Sequence, residues 1–220
     1  RSTYGSAIKN PTFTERFGYY TNFIGNPNLK PEGSKNFELG FDLDLDNKYL
    51  LSGTFFKSKL ENEIDGNAID PITLGYTARN LDGLSKRQGV ELSSLILLKE
   101  NLNLNFSYTF TDSTQFNNDN YIDEVRRPKN TASMKILWNK SKASSFSLNL
   151  RYSDEQIDVV YPDNVILPSY TVINFGSRFI LNNKFTLNIS LNNLLDKEYE
   201  EIYGYNALGF SANVGIRYKY

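Results

Sequence analysis

Apolar and polar residues alternate along most of this chain. In the last stretch, Phe210, Ala212, Val214, Ile216, Tyr218 and Tyr220 interleave with Ser211, Asn213, Gly215, Arg217 and Lys219. Successive side chains of an extended chain point to opposite faces, so this segment is a strand with one apolar and one polar face. The pattern recurs. Phe37, Leu39, Phe41, Leu43 and Leu45 alternate with Glu38, Gly40, Asp42 and Asp44; Leu102, Leu104, Phe106, Tyr108 and Phe110 alternate with Asn103, Asn105, Ser107 and Thr109. It returns over Thr131–Asn139, Ser145–Tyr152 and Phe185–Leu191, and more loosely over Ser2–Lys9, Tyr49–Leu60, Gly89–Leu98 and Thr171–Leu181. In Tyr49–Leu60 the register around Phe55 and Phe56 is ambiguous. Ten strands are expected.

The nine connections between them alternate in length. Asp46-Asn47, Lys99–Asn101, Lys140–Ala143 and Asn182-Asn183 are short turns, whereas 10–33, 61–86, 112–130, 153–169 and 192–209 read as long loops. A strand of about 9–11 residues crosses a bilayer when tilted, and outer-membrane barrels carry short turns at one rim and long loops at the other. Lipid would leave the backbone groups of an open edge unsatisfied, at several kcal/mol each, which demands closure. The expected fold is therefore all-β, a transmembrane antiparallel up-and-down β-barrel, with residues 1–220 as part of its wall. The competing arrangement is a soluble sandwich. It would mix its loop lengths and tuck Phe37, Leu104, Leu148 and Ile216 into a shared interior.

Composition narrows the chemistry. Mean hydropathy is −0.46 and no run of 18 apolar residues exists, so no transmembrane helix is expected; a barrel hides its apolar surface in alternation. The aromatic fraction of 14% suits strands and interface girdles. A net charge of −1 carries no nucleic-acid footprint. The chain has no cysteine and no histidine, which removes thiol chemistry and the commonest general base and metal ligand. It opens inside a strand-like stretch, as expected of a C-terminal fragment of a longer exported protein. Glu38, Asp42, Asp44, Glu91, Lys135, Arg151, Arg178, Arg217 and Lys219 fall on the polar face. They line a hydrated lumen or bond to a segment within it. Asp42 and Asp44 share that face without a reacting centre, so no catalytic residue is assigned. Asp112, Asp119 and Asp123 fit no calcium-loop spacing and are read as solvated; neither metal nor cofactor is expected.

Several stretches resemble TonB-dependent outer-membrane receptors. Gly25-Asn26-Pro27-Asn28-Leu29-Lys30-Pro31-Glu32 with Phe37-Glu38-Leu39-Gly40 looks like that family's N-P-N-L-x-P-E…E-x-G stretch. Gln88-Gly89-Val90-Glu91 is similar to its G-V-E strand start. Asn192-Asn193-Leu194-Leu195-Asp196-Lys197-Glu198-Tyr199 is similar to the N-L-F-D-K-x-Y motif before the last strand, with Leu195 in place of Phe. The final strand, with Asn213, Gly215, Tyr218 and Tyr220, resembles the C-terminal signal of bacterial outer-membrane barrels. Within the family the run into Ile202-Tyr203-Gly204-Tyr205 looks most like the cobalamin-transporting members, although Gly209-Phe210 stands where Gly-Arg is usual.

The resemblance implies the C-terminal ten strands of a plugged barrel of about 22 strands. It implies a monomer in the bacterial outer membrane, in contact with lipid and lipopolysaccharide. Such a receptor takes up cobalamin, or else a ferric siderophore or haem, and couples to the TonB complex through an upstream plug. By the same resemblance, Arg126 in Val125-Arg126-Arg127-Pro128-Lys129 and Tyr161 are ligand-binding candidates. Arginine offers planar donors and tyrosine a rigid apolar face with a polar tip. The alternative places Arg126 and Arg127 at the lipopolysaccharide headgroups and Tyr161 in an aromatic girdle. From other function classes, a complete ten-stranded barrel enzyme is disfavoured by the lack of histidine, and a passive porin by the lack of an evident constriction loop.

Overall fold

A computed structural model of the protein describes residues 1–20, 22–117, 120–160 and 163–220. Among them are β1 (Ser2–Lys9), α1 (Phe13–Phe17), β2 (Phe23–Ile24), β3 (Glu32–Leu45), β4 (Tyr49–Glu61), β5 (Ile64–Ile69), β6 (Tyr76–Asn80) and β7 (Leu84–Lys99). There follow β8 (Leu102–Asn117), β9 (Asn120–Asp123), β10 (Asn130–Ser141), β11 (Ser144–Ser153), β12 (Gln156–Val160) and β13 (Asp163–Leu167). The chain ends with β14 (Tyr170–Ile180), β15 (Phe185–Asn192), β16 (Glu200–Ile202), β17 (Tyr205–Asn206) and β18 (Ser211–Tyr218). The main sheet runs β1-β3-β4-β7-β8-β10-β11-β14-β15-β18, with β9 paired beside β8. These ten are the ten strands expected from alternation. Chain order and spatial order agree, as up-and-down topology requires.

The chain divides into two compact units. The first comprises Arg1–Leu39, Phe55–Gly89 and Asp112–Glu124; the second comprises Gly40–Thr54, Val90–Thr111 and Val125–Tyr220.

In the first unit, β1 pairs antiparallel with β3 from Ser2↔Leu39 to Lys9↔Glu32. Strand β3 begins at Glu32, ahead of the alternating run that starts at Phe37, because this register continues to the end of β1, where Lys9 Nζ lies 2.9 Å from Glu32 Oε2. The stretches 10–33 and 61–86, expected as loops, carry structure of their own. Thr12 accepts from the Glu15 N–H while the Glu15 carboxylate accepts from the Thr12 N–H. That capping box starts α1. β2, β6 and β5 form a small sheet beside the buried residues Leu29, Ala68, Ala78 and Leu81. Here the N-P-N-L motif has a physical reading. Asn26 Nδ2 donates to the Ala78 carbonyl, Asn80 Oδ1 accepts from the Lys30 N–H, and Leu29 between them is buried. The stretch 112–130 is also partly strand, since β9 folds back on β8 from Thr114↔Asp123 to Asn117↔Asn120.

In the second unit the register lines up apolar rows across strands. Leu104, Ile136, Leu148, Phe175, Leu191 and Ala212 form one; Phe106, Met134, Leu150 and Ile173 form another. Between them runs the polar row Asn105, Lys135, Asn149 and Asn174. The apolar rows are not covered: Leu148 is 38% and Phe106 40% exposed; outside these rows Ile216 is 68% exposed and Phe37 of the first unit 41%. No shared interior encloses these residues, so the sandwich arrangement is absent from the described residues. Uncovered apolar rows of this extent are what a lipid-facing wall presents.

The short turns differ in detail. Asp46 and Asn47 both have positive φ, 57° and 53°, as a two-residue hairpin turn demands. The Asn182-Asn183 turn is longer than expected. Asn182 Oδ1 accepts from the N–H groups of Lys184 and Phe185, and the Leu181 N–H donates to the Phe185 carbonyl, so the side chain closes a wider loop. A Cβ at Gly53 would collide with the Phe41 ring. The ring lies against the glycine, and alternation from Gly53 puts Phe55 rather than Phe56 on the apolar side.

Candidate functional site

The second unit's long connections converge on a cluster of charged and aromatic side chains. The stretch 153–169, expected as a loop, contains the β12–β13 hairpin, paired from Gln156↔Leu167 to Val160↔Asp163. Its β-branched residues Ile157, Val159, Val160, Val165 and Ile166 favour pairing. The stretch 192–209 contains the β16–β17 hairpin, whose turn Gly204 closes at φ 78°.

Asp158, on β12, is fully buried. Its Oδ1 accepts from Arg126 Nε and from the Val159 N–H, both at 2.8 Å, and its Oδ2 accepts from the Tyr203 N–H at 2.8 Å. Burial alone would push this carboxyl up, but the Tyr203 and Val159 amides and the Arg126 guanidinium hold it below the usual carboxylate range. Arg126 is further fixed by its own N–H, which donates to the Ile157 carbonyl at 2.7 Å, and it sits at φ 58°. Its side chain stays half exposed. Three connections, those after β9, β11 and β15, thus meet at one carboxylate.

A second junction fastens β16 to the strands. Glu201 Oε1 accepts from Arg151 Nη2 at 2.7 Å and from the Tyr170 hydroxyl at 2.9 Å. These bonds, the Tyr170 hydroxyl first, hold the Glu201 carboxyl below its ordinary value despite partial burial. The Tyr170 and Tyr199 rings stack at 4.2 Å between centroids, and Gln156 Nε2 donates to the Glu201 carbonyl at 2.8 Å. An open cavity of about 510 Å³ lies here, lined among others by Arg126, Arg151, Tyr152, Gln156, Tyr170 and Glu201. Its two guanidiniums are each matched by a carboxylate, so the wall is near neutral, and most of its surface is apolar, with aromatic faces and a few polar groups. It can hydrogen-bond a polar ligand from several sides, and it offers no activated nucleophile.

Arg126 therefore sits at this cavity, joined to Asp158. Tyr161 lies outside the described residues. Arg151, expected on the polar face, lines the same cavity and binds Glu201. Asp112 accepts from Gln88 Nε2, Asp119 lies outside the described residues, and among those described no group of acidic side chains is arranged to hold a metal. Sequence reasoning missed Asp158, Tyr170, Tyr199 and Glu201. The available signal was the pair of β-branched runs flanking 161–162, which mark a hairpin able to bury Asp158.

The N-L-L-D-K motif forms the turn that leads toward β18. Asn193 is buried; its Nδ2 donates to the carbonyls of Lys197 and Leu208, its Oδ1 accepts from the Lys197 N–H, and its own N–H donates to Asn174 Oδ1. Asp196 Oδ1 accepts from the Phe210 N–H, and a Cβ on Gly209 would meet that oxygen at 2.6 Å.

Comparison with known proteins gives this geometry a setting. Residues 1–194 match the family model described as TonB dependent receptor-like, beta-barrel. An iron-regulated outer membrane virulence protein of Vibrio cholerae is 28% identical over 201 residues, 84% of this chain and 30% of that protein. The vitamin B12 transporter BtuB of Vibrio cholerae is 26% identical over 231 residues, 100% of this chain and 34% of that protein. The chain thus spans about a third of the length of the curated relatives it matches. Among solved structures, the siderophore receptor PiuA of Acinetobacter baumannii aligns with a TM-score of 0.77 at 24% identity, covering 100% of this chain and 33% of that one. The copper transporter OprC aligns at 0.79 and 14% identity, covering 99% and 36%. At these identities the two structures speak to the fold alone.

Proposed function

The chain belongs to the TonB-dependent receptor β-barrel family, and from that premise we propose that it is the C-terminal wall of a receptor that imports a scarce ligand too large for a porin. As a member of this family it is an outer-membrane β-barrel segment. The observation that carries the proposal is the family match over 1–194, joined to apolar rows left uncovered along the strands. In this reading the long connections face outward and meet the ligand at the cavity that Arg126 lines, with Tyr161 as a second contact. On the same reading the plug and its TonB-pairing segment belong to a part of the receptor other than residues 1–220. TonB, driven by the inner-membrane proton gradient, opens the path, and no covalent chemistry takes place. The receptor works as a monomer surrounded by lipid and lipopolysaccharide.

The proposed ligand is cobalamin, supported by the similarity to BtuB over the whole chain. The similarity to an iron-regulated outer membrane protein favours a ferric siderophore as the second reading. Deleting the full-length receptor's gene and measuring uptake of labelled cyanocobalamin and of a ferric catecholate decides between them. Loss of cobalamin uptake alone supports the first reading. Loss of iron uptake alone replaces it with the second, and loss of neither overturns both.

A further inference from the structure

The second unit contains a fully buried carboxylate whose three partners come from separate parts of the chain. We infer that Asp158 is a positioning residue: it fixes Arg126 and the β16–β17 hairpin relative to the β12–β13 hairpin, and so sets the shape of the cavity that captures ligand. The cavity's role rests on the receptor reading above; the convergence of the loops does not.

The argument is one of geometry and desolvation. A buried carboxylate is stable only when its lone pairs are occupied. Here the occupants are Arg126 Nε, the Val159 N–H and the Tyr203 N–H, each 2.8 Å away. Val159 belongs to the same hairpin as Asp158, whereas Arg126 and Tyr203 arrive from the connections that follow β9 and β15. Arg126 is half exposed and lines the cavity, but its Nε is committed to Asp158 and its backbone N–H to the Ile157 carbonyl. Its orientation is therefore dictated by β12. Tyr203 is held through its backbone, so no change of its side chain replaces the contact. Gln156, two residues before Asp158, reinforces the junction by donating to the Glu201 carbonyl. Displacing Asp158 releases the neighbours of the cavity on two sides at once. The surrounding charges are matched: Arg126 faces Asp158, and Arg151 faces Glu201. A charge removed from one pair is not replaced by the other.

Two measurements on the full-length receptor in detergent test this. The first is amide hydrogen exchange in Asp158→Ala and in Asp158→Asn, which keeps the shape and one acceptor and carries the test where the alanine variant yields too little folded receptor. The expected result is that the Arg126 and Tyr203 amides speed up together by at least about tenfold, the cost of an unsatisfied buried group, while the β14–β15 ladder is unchanged. Unchanged exchange at Tyr203 overturns the inference. The second is equilibrium binding of cyanocobalamin and of a ferric catecholate by Asp158→Ala, Arg126→Ala and the double variant, at matched receptor level and heat-shifted gel mobility. About tenfold weaker binding in Asp158→Ala, with no further loss in the double variant, shows the two residues acting as one unit. Wild-type affinity in Asp158→Ala, or a further tenfold loss in the double variant, overturns it. If the unaltered receptor binds neither probe, the ligand assignment fails while the exchange result still decides the role of Asp158.

Discussion

The two ends of the second unit follow opposite rules. At the short-turn end, aromatic rings gather on the apolar side: Trp138, Phe146 and Phe179 lie within 5.6 Å of one another in successive pairs, and Phe185 lies 5.1 Å from Tyr218. Half-exposed rings at a strand end suit a membrane–water interface. At the long-connection end, paired charge dominates: buried Asp158 with half-exposed Arg126, and half-exposed Glu201 with half-exposed Arg151. The first end is specified by residue class and is tolerant of which member stands where. The second depends on individual atoms, and a change of one carboxylate is felt in three segments.

That contrast can be broken first in the middle of the wall. Leu148→Arg puts a charge into an uncovered apolar row and should cost about 2–4 kcal/mol at bilayer depth, read as a loss of heat-shifted gel mobility after refolding into vesicles. The same arginine in place of Asn149, on the polar row, should leave folding intact. If both fold equally, the apolar row does not face lipid. Next, Arg126→Ala deprives Asp158 of its charged partner and should cost about 1–3 kcal/mol locally, seen as faster exchange of the Val159 and Tyr203 amides. Acid should act differently from mutation. The Asp158 pKa is lowered from 3.8, so its contribution is complete above that value and is lost only as pH falls through the lower folded value. Exchange of the Tyr203 amide, corrected for its intrinsic rate, should match at pH 5 and pH 7. A smaller effect is expected at the other end: Asn47→Val, at φ 53°, should cost about 1 kcal/mol, whereas Asn47→Gly should be close to neutral. The smallest belongs to Glu201→Gln. Its partner Arg151 and Glu201 itself are about half exposed, so under about 1 kcal/mol is at stake, and raising the salt should erase the difference.

The same contrast explains what could be read from the sequence. The ten strands and their apolar rows were legible because a period of two survives substitution within a class, so Phe106, Met134 and Leu150 need only be apolar. Strand ends on the short-turn side were legible for the same reason. The long connections were not: capping at Thr12, the small sheet around Ala78, the β12–β13 hairpin and the continuation of β8 to Asn117 depend on local pairing rather than on a long repeat. Arg126 was picked out by resemblance, yet its partner is 32 residues away, and no periodicity links the two. Tyr170 stands one residue ahead of the expected strand Thr171–Leu181, as the first residue of β14, and its bond to Glu201 arises only when β16 folds over it.

The turn around Asn193 has a consequence for how the last strand finds its place. Asn193 and Asp196 tie both ends of 192–210 to fixed atoms, so β18 leaves its loop with Ser211 already opposite Asn192. A slip of one position would present Asn213, Gly215 and Arg217 to the hydrocarbon and turn Val214 and Ile216 toward water. A polar clasp a few residues long thus sets the register in which β18 is laid against β15.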